Sequence, residues 1–83
     1  MILNNAIIED LKEKSGLLFD KAGDFSILSS LIFDETGRTI GATTLKRLFY
    51  YIKDDRKASE YTLNTIAIYI GHKSWEKYSA SKN

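Results

Sequence analysis

Residues 40–52 read IGATTLKRLFYYI, and the spacing of their apolar residues decides the fold class. Leu45, Leu48, Phe49 and Ile52 recur at i, i+3, i+4 and i+7, the pattern of one helix face. At about 100° per residue, Thr43, Arg47 and Tyr50 fall on the opposite face, with Lys46 beside them. Ile40 at N′ and Leu45 at N4 fit a hydrophobic staple around Gly41 as N-cap. The stretch is therefore expected to form a short helix over about residues 42–52, anchored by four bulky groups and showing hydroxyls, an aromatic ring and two cations to water.

Working outward, the flanking segments have the same helical spacing. Upstream, FSILSSLIFDET is expected to form a helix capped by Asp24 and ended by Gly37, with Phe25, Leu28, Leu31 and Ile32 inward. Before it, a first helix starts at Asn4 with Leu3 and Ile8 as staple, buries Ile7, Ile8 and Leu11, and ends at Ser15-Gly16. Glu9, Asp10, Lys12 and Glu13 form its solvated side. Leu17, Leu18 and Phe19 are expected to lean onto the core. Downstream, KDDRKA (Lys53 to Ala58) is a charged connection, and Ser59 caps a fourth helix with Leu63, Ile66, Ala67 and Ile70 at core spacing. Ser74 caps a last short helix from which Trp75 and Tyr78 pack back as a lid. The expected class is all-α, a compact bundle of about five short helices in a single domain over residues 1–83.

Composition agrees with that class. Eighty-three residues, 43% of them apolar, are near the smallest size at which one core suffices without covalent staples. The absence of cysteine removes disulfides and thiolate metal sites and fits a reducing cytoplasm. The opening MILNNAIIEDLKEK lacks the basic region and unbroken apolar run of a signal peptide, and no stretch has the length of a membrane span. Lys82-Asn83 reads as a cut edge or a loose tail, which leaves room for further domains of a longer protein. The net charge of +1 hides an asymmetry: residues 1–37 carry three lysines against seven acids, and residues 38–83 carry nine Lys or Arg against four. A basic half is a hint of an anionic partner.

From Phe25 to Tyr78 the chain resembles the helix-turn-helix domains of the lambda-repressor-like group. The matching segments are IGATTLKRLF, similar to the turn and recognition helix, and SEYTLNTIAIYIG, similar to the fourth helix. It is also similar to helical segments at the N-termini of larger bacterial proteins with the succession TGR, TLKRL, YTLNTIA and an aromatic after SW. Two departures are visible. Phe33 stands nearest the place of a small residue in the strict motif, and the turn from Gly37 to Ile40 is longer. The resemblance implies a DNA-binding domain of a bacterial transcriptional regulator, with helices 2 and 3 as the helix-turn-helix and helix 3 in the major groove of double-stranded DNA. Such a half-site reader implies self-association or a tethered neighbouring domain.

On that reading Thr43, Thr44, Lys46, Arg47 and Tyr50 face the duplex. Arg47 suits a bidentate contact to guanine O6 and N7, or to a phosphate, and Lys46 suits phosphate. The threonines offer methyl and hydroxyl groups to base edges, or simply favour the helix start. Arg38, Lys53, Arg56, Lys57 and the amides after Ser59 suit the phosphate backbone. The same residues equally describe a solvated, basic helix face, so a helical protein-interaction module without DNA binding is the alternative. Asp54 and Asp55 oppose close approach of DNA at their end of the loop. Catalysis is not expected: His72 is the one histidine, too few for a His-based zinc cluster, and the neighbouring acid pairs Glu9–Asp10, Asp34–Glu35 and Asp54–Asp55 diverge. The spacing Gly37 to Gly41 lacks the length and lysine of a P-loop. No cofactor or metal is expected.

Overall fold

A computed structural model of the chain describes residues 5–49 and 59–82. Every regular element within them is a helix: α1 (Asn5–Ser15), α2 (Gly23–Thr36), α3 (Ala42–Leu48), α4 (Glu60–Tyr69) and α5 (Trp75–Lys82). The all-α bundle of five short helices follows from three-to-four-residue apolar spacing in each segment. No helix among the described residues is long and apolar enough to cross a membrane.

One core joins all five helices. Ile7 and Leu11 come from α1, Phe25, Leu28 and Ile32 from α2, Leu45 and Leu48 from α3, Ile66, Ala67 and Tyr69 from α4, and Tyr78 from α5. Leu31, Phe49, Leu63, Ile70 and Trp75 pack half-buried around it. Phe19, Phe25 and Phe49 form a ring cluster with centroids 4.7–5.4 Å apart, inside the range that favours offset and edge contacts. Thr62 and Thr65 are also buried. Their hydroxyls are satisfied locally, since Thr65 Oγ1 donates to the Tyr61 carbonyl at 2.7 Å and Thr62 Oγ1 accepts from Ser59 Oγ at 3.0 Å.

The helix ends follow the sequence at five places. Gly16 and Gly37 take positive φ, 77° and 73°, and the Gly37 amide donates to the Phe33 carbonyl at 2.8 Å, an αL cap. Ser59 caps α4, its Oγ accepting from the Thr62 amide at 3.1 Å. Ser74 caps α5 in the same way, toward the Lys77 amide at 3.1 Å. Gly41, extended at φ −67° and ψ 151°, precedes α3, and both staple residues Ile40 and Leu45 are buried.

Four expectations need correction. Asp24 does not cap α2: the helix starts at Gly23, two residues before the expected Phe25, and the Asp24 carboxylate instead accepts from the Phe19 amide at 3.0 Å. Leu18 does not lean onto the core but is 71% exposed. Asp10 is not simply solvated, because its Oδ2 accepts from the Tyr78 hydroxyl at 2.9 Å. Helix α3 ends at Leu48, short of the expected residue 52. Asn4, Leu3, Tyr50, Tyr51 and Ile52 lie outside the described residues.

Candidate nucleic-acid interface

The geometry of the α2–α3 unit starts at Gly37. Its left-handed conformation ends α2, and the chain then crosses Arg38, Thr39 and Ile40 to reach Gly41. Ser29 Oγ donates to the Ile40 carbonyl at 2.6 Å, bonding the middle of α2 to the far end of the turn. The Arg38 amide donates to Thr36 Oγ1 at 3.0 Å, and Thr36 Oγ1 donates to the Ile32 carbonyl at 2.7 Å. These bonds fix the turn from both sides. With Ile40, Leu45 and Leu48 buried, the placement of α3 on α2 is set.

On α3 the candidate side chains are unequally presented. Thr43 is exposed, whereas Thr44, Lys46 and Arg47 are half-buried. Arg47 was expected to point out from the domain. Its Nε is instead shielded from solvent, so its stem lies along the protein surface. Helix α3 carries no acid in its first turn and has Lys46 and Arg47 in its last, the arrangement that complements the negative end of the helix dipole.

Arg38 is drawn toward α4. Its guanidinium carbon sits 5.2 Å from the Tyr61 ring centroid, and its NH1 donates to Thr65 Oγ1 at 3.4 Å. The Thr39 amide donates to the Tyr61 hydroxyl at 3.3 Å. Ser59 is exposed, yet its Oγ is committed to the α4 cap, and the Leu63 amide is bonded to its carbonyl at 3.1 Å. The described structure thus groups Thr43, Thr44, Lys46 and Arg47 on α3, with Arg38 on the turn leading into it. Tyr50, Lys53, Arg56 and Lys57 lie outside the described residues.

No protein-family model matches the chain, and no curated protein or solved structure is significantly similar to it.

Tyr61 and Thr65 are the residues that reading by sequence missed. The available signal was their i, i+4 spacing after the Ser59 cap, which puts an aromatic ring and a hydroxyl on one face of α4. What that face meets is a matter of tertiary packing. Elsewhere, the opening between α4 and α5 is lined by Glu60, Asn64, Trp75 and Glu76 among others. The described residues contain no group of three or more His, Cys, Asp or Glu able to hold a metal ion.

Proposed function

We propose that α2 and α3 form a helix-turn-helix and that the chain is a DNA-binding domain of a bacterial transcriptional regulator acting in the cytoplasm. The observation that carries the proposal is the fixed α2–turn–α3 unit. Ser29, Ile40 and Leu45 hold α3 on α2, while Thr43 stays exposed beside Lys46 and Arg47. A helix held this way can enter a major groove with its first turn against base edges and its cations near phosphates. Arg47 and Thr43 are assigned to base edges, with Thr44 beside them. Lys46 and Arg38 are assigned to the backbone, and sequence alone adds Tyr50, Lys53, Arg56, Lys57 and Ser59 to the contact set.

The test is fluorescence anisotropy of the wild type, Arg47→Ala and Lys57→Ala over a salt series, on a selected duplex and on random duplexes. Arg47→Ala should weaken selected-site binding by roughly 1–3 kcal/mol and relax the preference at one base pair. Lys57→Ala should weaken all sequences alike and lower the slope of log affinity against log salt by about one. Wild type that binds no duplex at low salt refutes the proposal.

A second reading, a helical protein-interaction module, is favoured by one observation. Ile27 and Phe33 on α2 are 49% and 53% exposed. Large apolar side chains on an exposed helix suit a protein partner better than a phosphate backbone. Loss of all duplex binding would leave this reading in place.

A further inference from the structure

We infer that Arg38, Tyr61 and Thr65 form a phosphate clamp beside the α2–α3 turn, in which Tyr61 is a positioning residue that presents the Arg38 guanidinium to an oxyanion. Insofar as the oxyanion is a DNA phosphate, the inference rests on the DNA-binding reading above.

The clamp is built from bonds whose polarity is settled. Thr65 Oγ1 donates to the Tyr61 carbonyl at 2.7 Å, so toward Arg38 it can only accept, and NH1 donates to it at 3.4 Å. The Tyr61 ring carries the guanidinium carbon at 5.2 Å from its centroid, a cation–π arrangement. The ring is itself steadied by the Thr39 amide, which donates to its hydroxyl at 3.3 Å. At the other end of the residue, the Arg38 amide is fixed by Thr36 Oγ1 at 3.0 Å. Backbone, ring face and one N–H therefore restrain the side chain.

Its charge is not consumed by these contacts. A guanidinium has five N–H donors, and Thr65 takes one of them. Ion pairs join Glu9 with Lys12 and Glu35 with Lys14, and no described carboxylate pairs with Arg38. A cation held against a ring without a carboxylate keeps a planar fork for a phosphate, and little further side-chain entropy is lost on binding. Tyr61 is 49% exposed, so the pair is reachable from solvent. It adjoins the turn that leads into α3, where a strand seated on that helix would pass.

The experiment uses the full chain and four variants, Arg38→Gln, Arg38→Lys, Tyr61→Phe and Tyr61→Leu, each checked for folding by thermal melting. Duplex affinity is measured over a salt series, and the Arg38 Nε–H resonance is followed by NMR during titration with inorganic phosphate. Arg38→Gln should weaken selected and random duplexes equally, on the order of fivefold, and lower the salt slope by about one. Arg38→Lys should restore the slope but not the full affinity, because it keeps the charge and loses the fork. Tyr61→Leu should weaken both duplexes as Arg38→Gln does and abolish the phosphate-induced movement of the resonance, while Tyr61→Phe, which keeps the ring, should stay within about twofold of wild type. A Tyr61→Leu protein that melts earlier but keeps the wild-type salt slope and phosphate response would make the pair a mere staple and overturn the inference. So would an Arg38 resonance that phosphate leaves unmoved in the wild type. Movement with inorganic phosphate in a wild type that binds no duplex would support the clamp and refute the DNA reading, which separates the two failures.

Discussion

Replacing Tyr78 by phenylalanine should produce a stability difference that reverses sign with pH. The Tyr78 ring is 1% exposed, and its hydroxyl donates to Asp10 Oδ2 at 2.9 Å, joining α5 to α1. A hydrogen bond to a charged group contributes about 1.5–3 kcal/mol. Asp10 is half-buried, so water can replace part of the lost bond, and the cost of Tyr78→Phe near pH 7 should be about 1.5 kcal/mol. Burial first, and then the bond to and charge of Asp10, push the Tyr78 hydroxyl from its ordinary 10.0 up to about 12. The folded state therefore holds this proton more tightly than the unfolded chain. Its stabilising contribution is complete below pH 10 and is lost as pH rises through about 12. A tenfold difference in proton affinity between the two states is worth about 1.4 kcal/mol, so roughly that much is gone by about pH 11 and about twice as much beyond pH 12. Charge changes common to both proteins cancel in the difference. Urea unfolding of wild type and variant from about pH 7 to about pH 11.5 should show the curves converging near pH 11, with the phenylalanine variant the more stable above it. A difference that stays constant with pH would refute the reasoning, since the Asp10 bond would then not discriminate between phenol and phenolate.

Leu48→Ala should cost about 2–5 kcal/mol in chemical denaturation, because Leu48 is 3% exposed and a leucine truncated in a core leaves a cavity. A cost below about half a kcal/mol would mean that α3 is out of register. Ser59→Ala should destabilise by about 1 kcal/mol, as it removes both the Thr62 amide cap and the bond to the Thr62 hydroxyl, and Ser59→Asp should recover most of this in thermal melts. Ser29→Ala should loosen the α2–α3 turn, raising amide exchange at Gly41 and Ala42 more than in α4, because it deletes the 2.6 Å bond to the Ile40 carbonyl.

What was legible in the sequence was local. Ile40 and Leu45 could be assigned because a staple is defined by spacing around a single cap, and both are buried. Gly16 and Gly37 could be assigned because a helix stop in the left-handed region favours glycine. The connection after α1 was not legible, because Phe19 itself takes φ 60°. A non-glycine residue there costs on the order of 1–2 kcal/mol. That cost is met by its contacts with Phe25 and Phe49 and by the bond of its amide to Asp24. With the backbone reversed at that point, no spacing rule says which of Leu17, Leu18 and Phe19 turns inward, and Leu18 turns out. The bond between Asp10 and Tyr78 spans most of the chain and has no local signature. The same holds for the candidate interface. Exposed Thr43 follows from helical angle, but the half-burial of Arg47 and the attachment of Arg38 to Tyr61 and Thr65 depend on how α3 and α4 sit on α2.

Among the described residues the ion pairs stay within the acidic half of the chain, and this bears on the proposed partner more than the net charge does. An acidic N-terminal half could have folded onto the basic half and neutralised it. Among the described residues, the ion pairs of Glu9 with Lys12 and of Glu35 with Lys14 join residues of the acidic half to one another. Asp10 accepts a bond from the Tyr78 hydroxyl and Asp24 one from the Phe19 amide. Two of the three lysines of the acidic half are thus spent on its own acids, while neither Arg38 nor Lys46 forms an ion pair with a described carboxylate. At physiological ionic strength a surface charge is screened over about 8 Å. That is shorter than every extent of the molecule, 30, 28 and 20 Å. The potential met by a phosphate at the α2–α3 turn is therefore set by nearby charges and not by the total of +1, and the described charges on that turn and on α3 are the cations Arg38, Lys46 and Arg47.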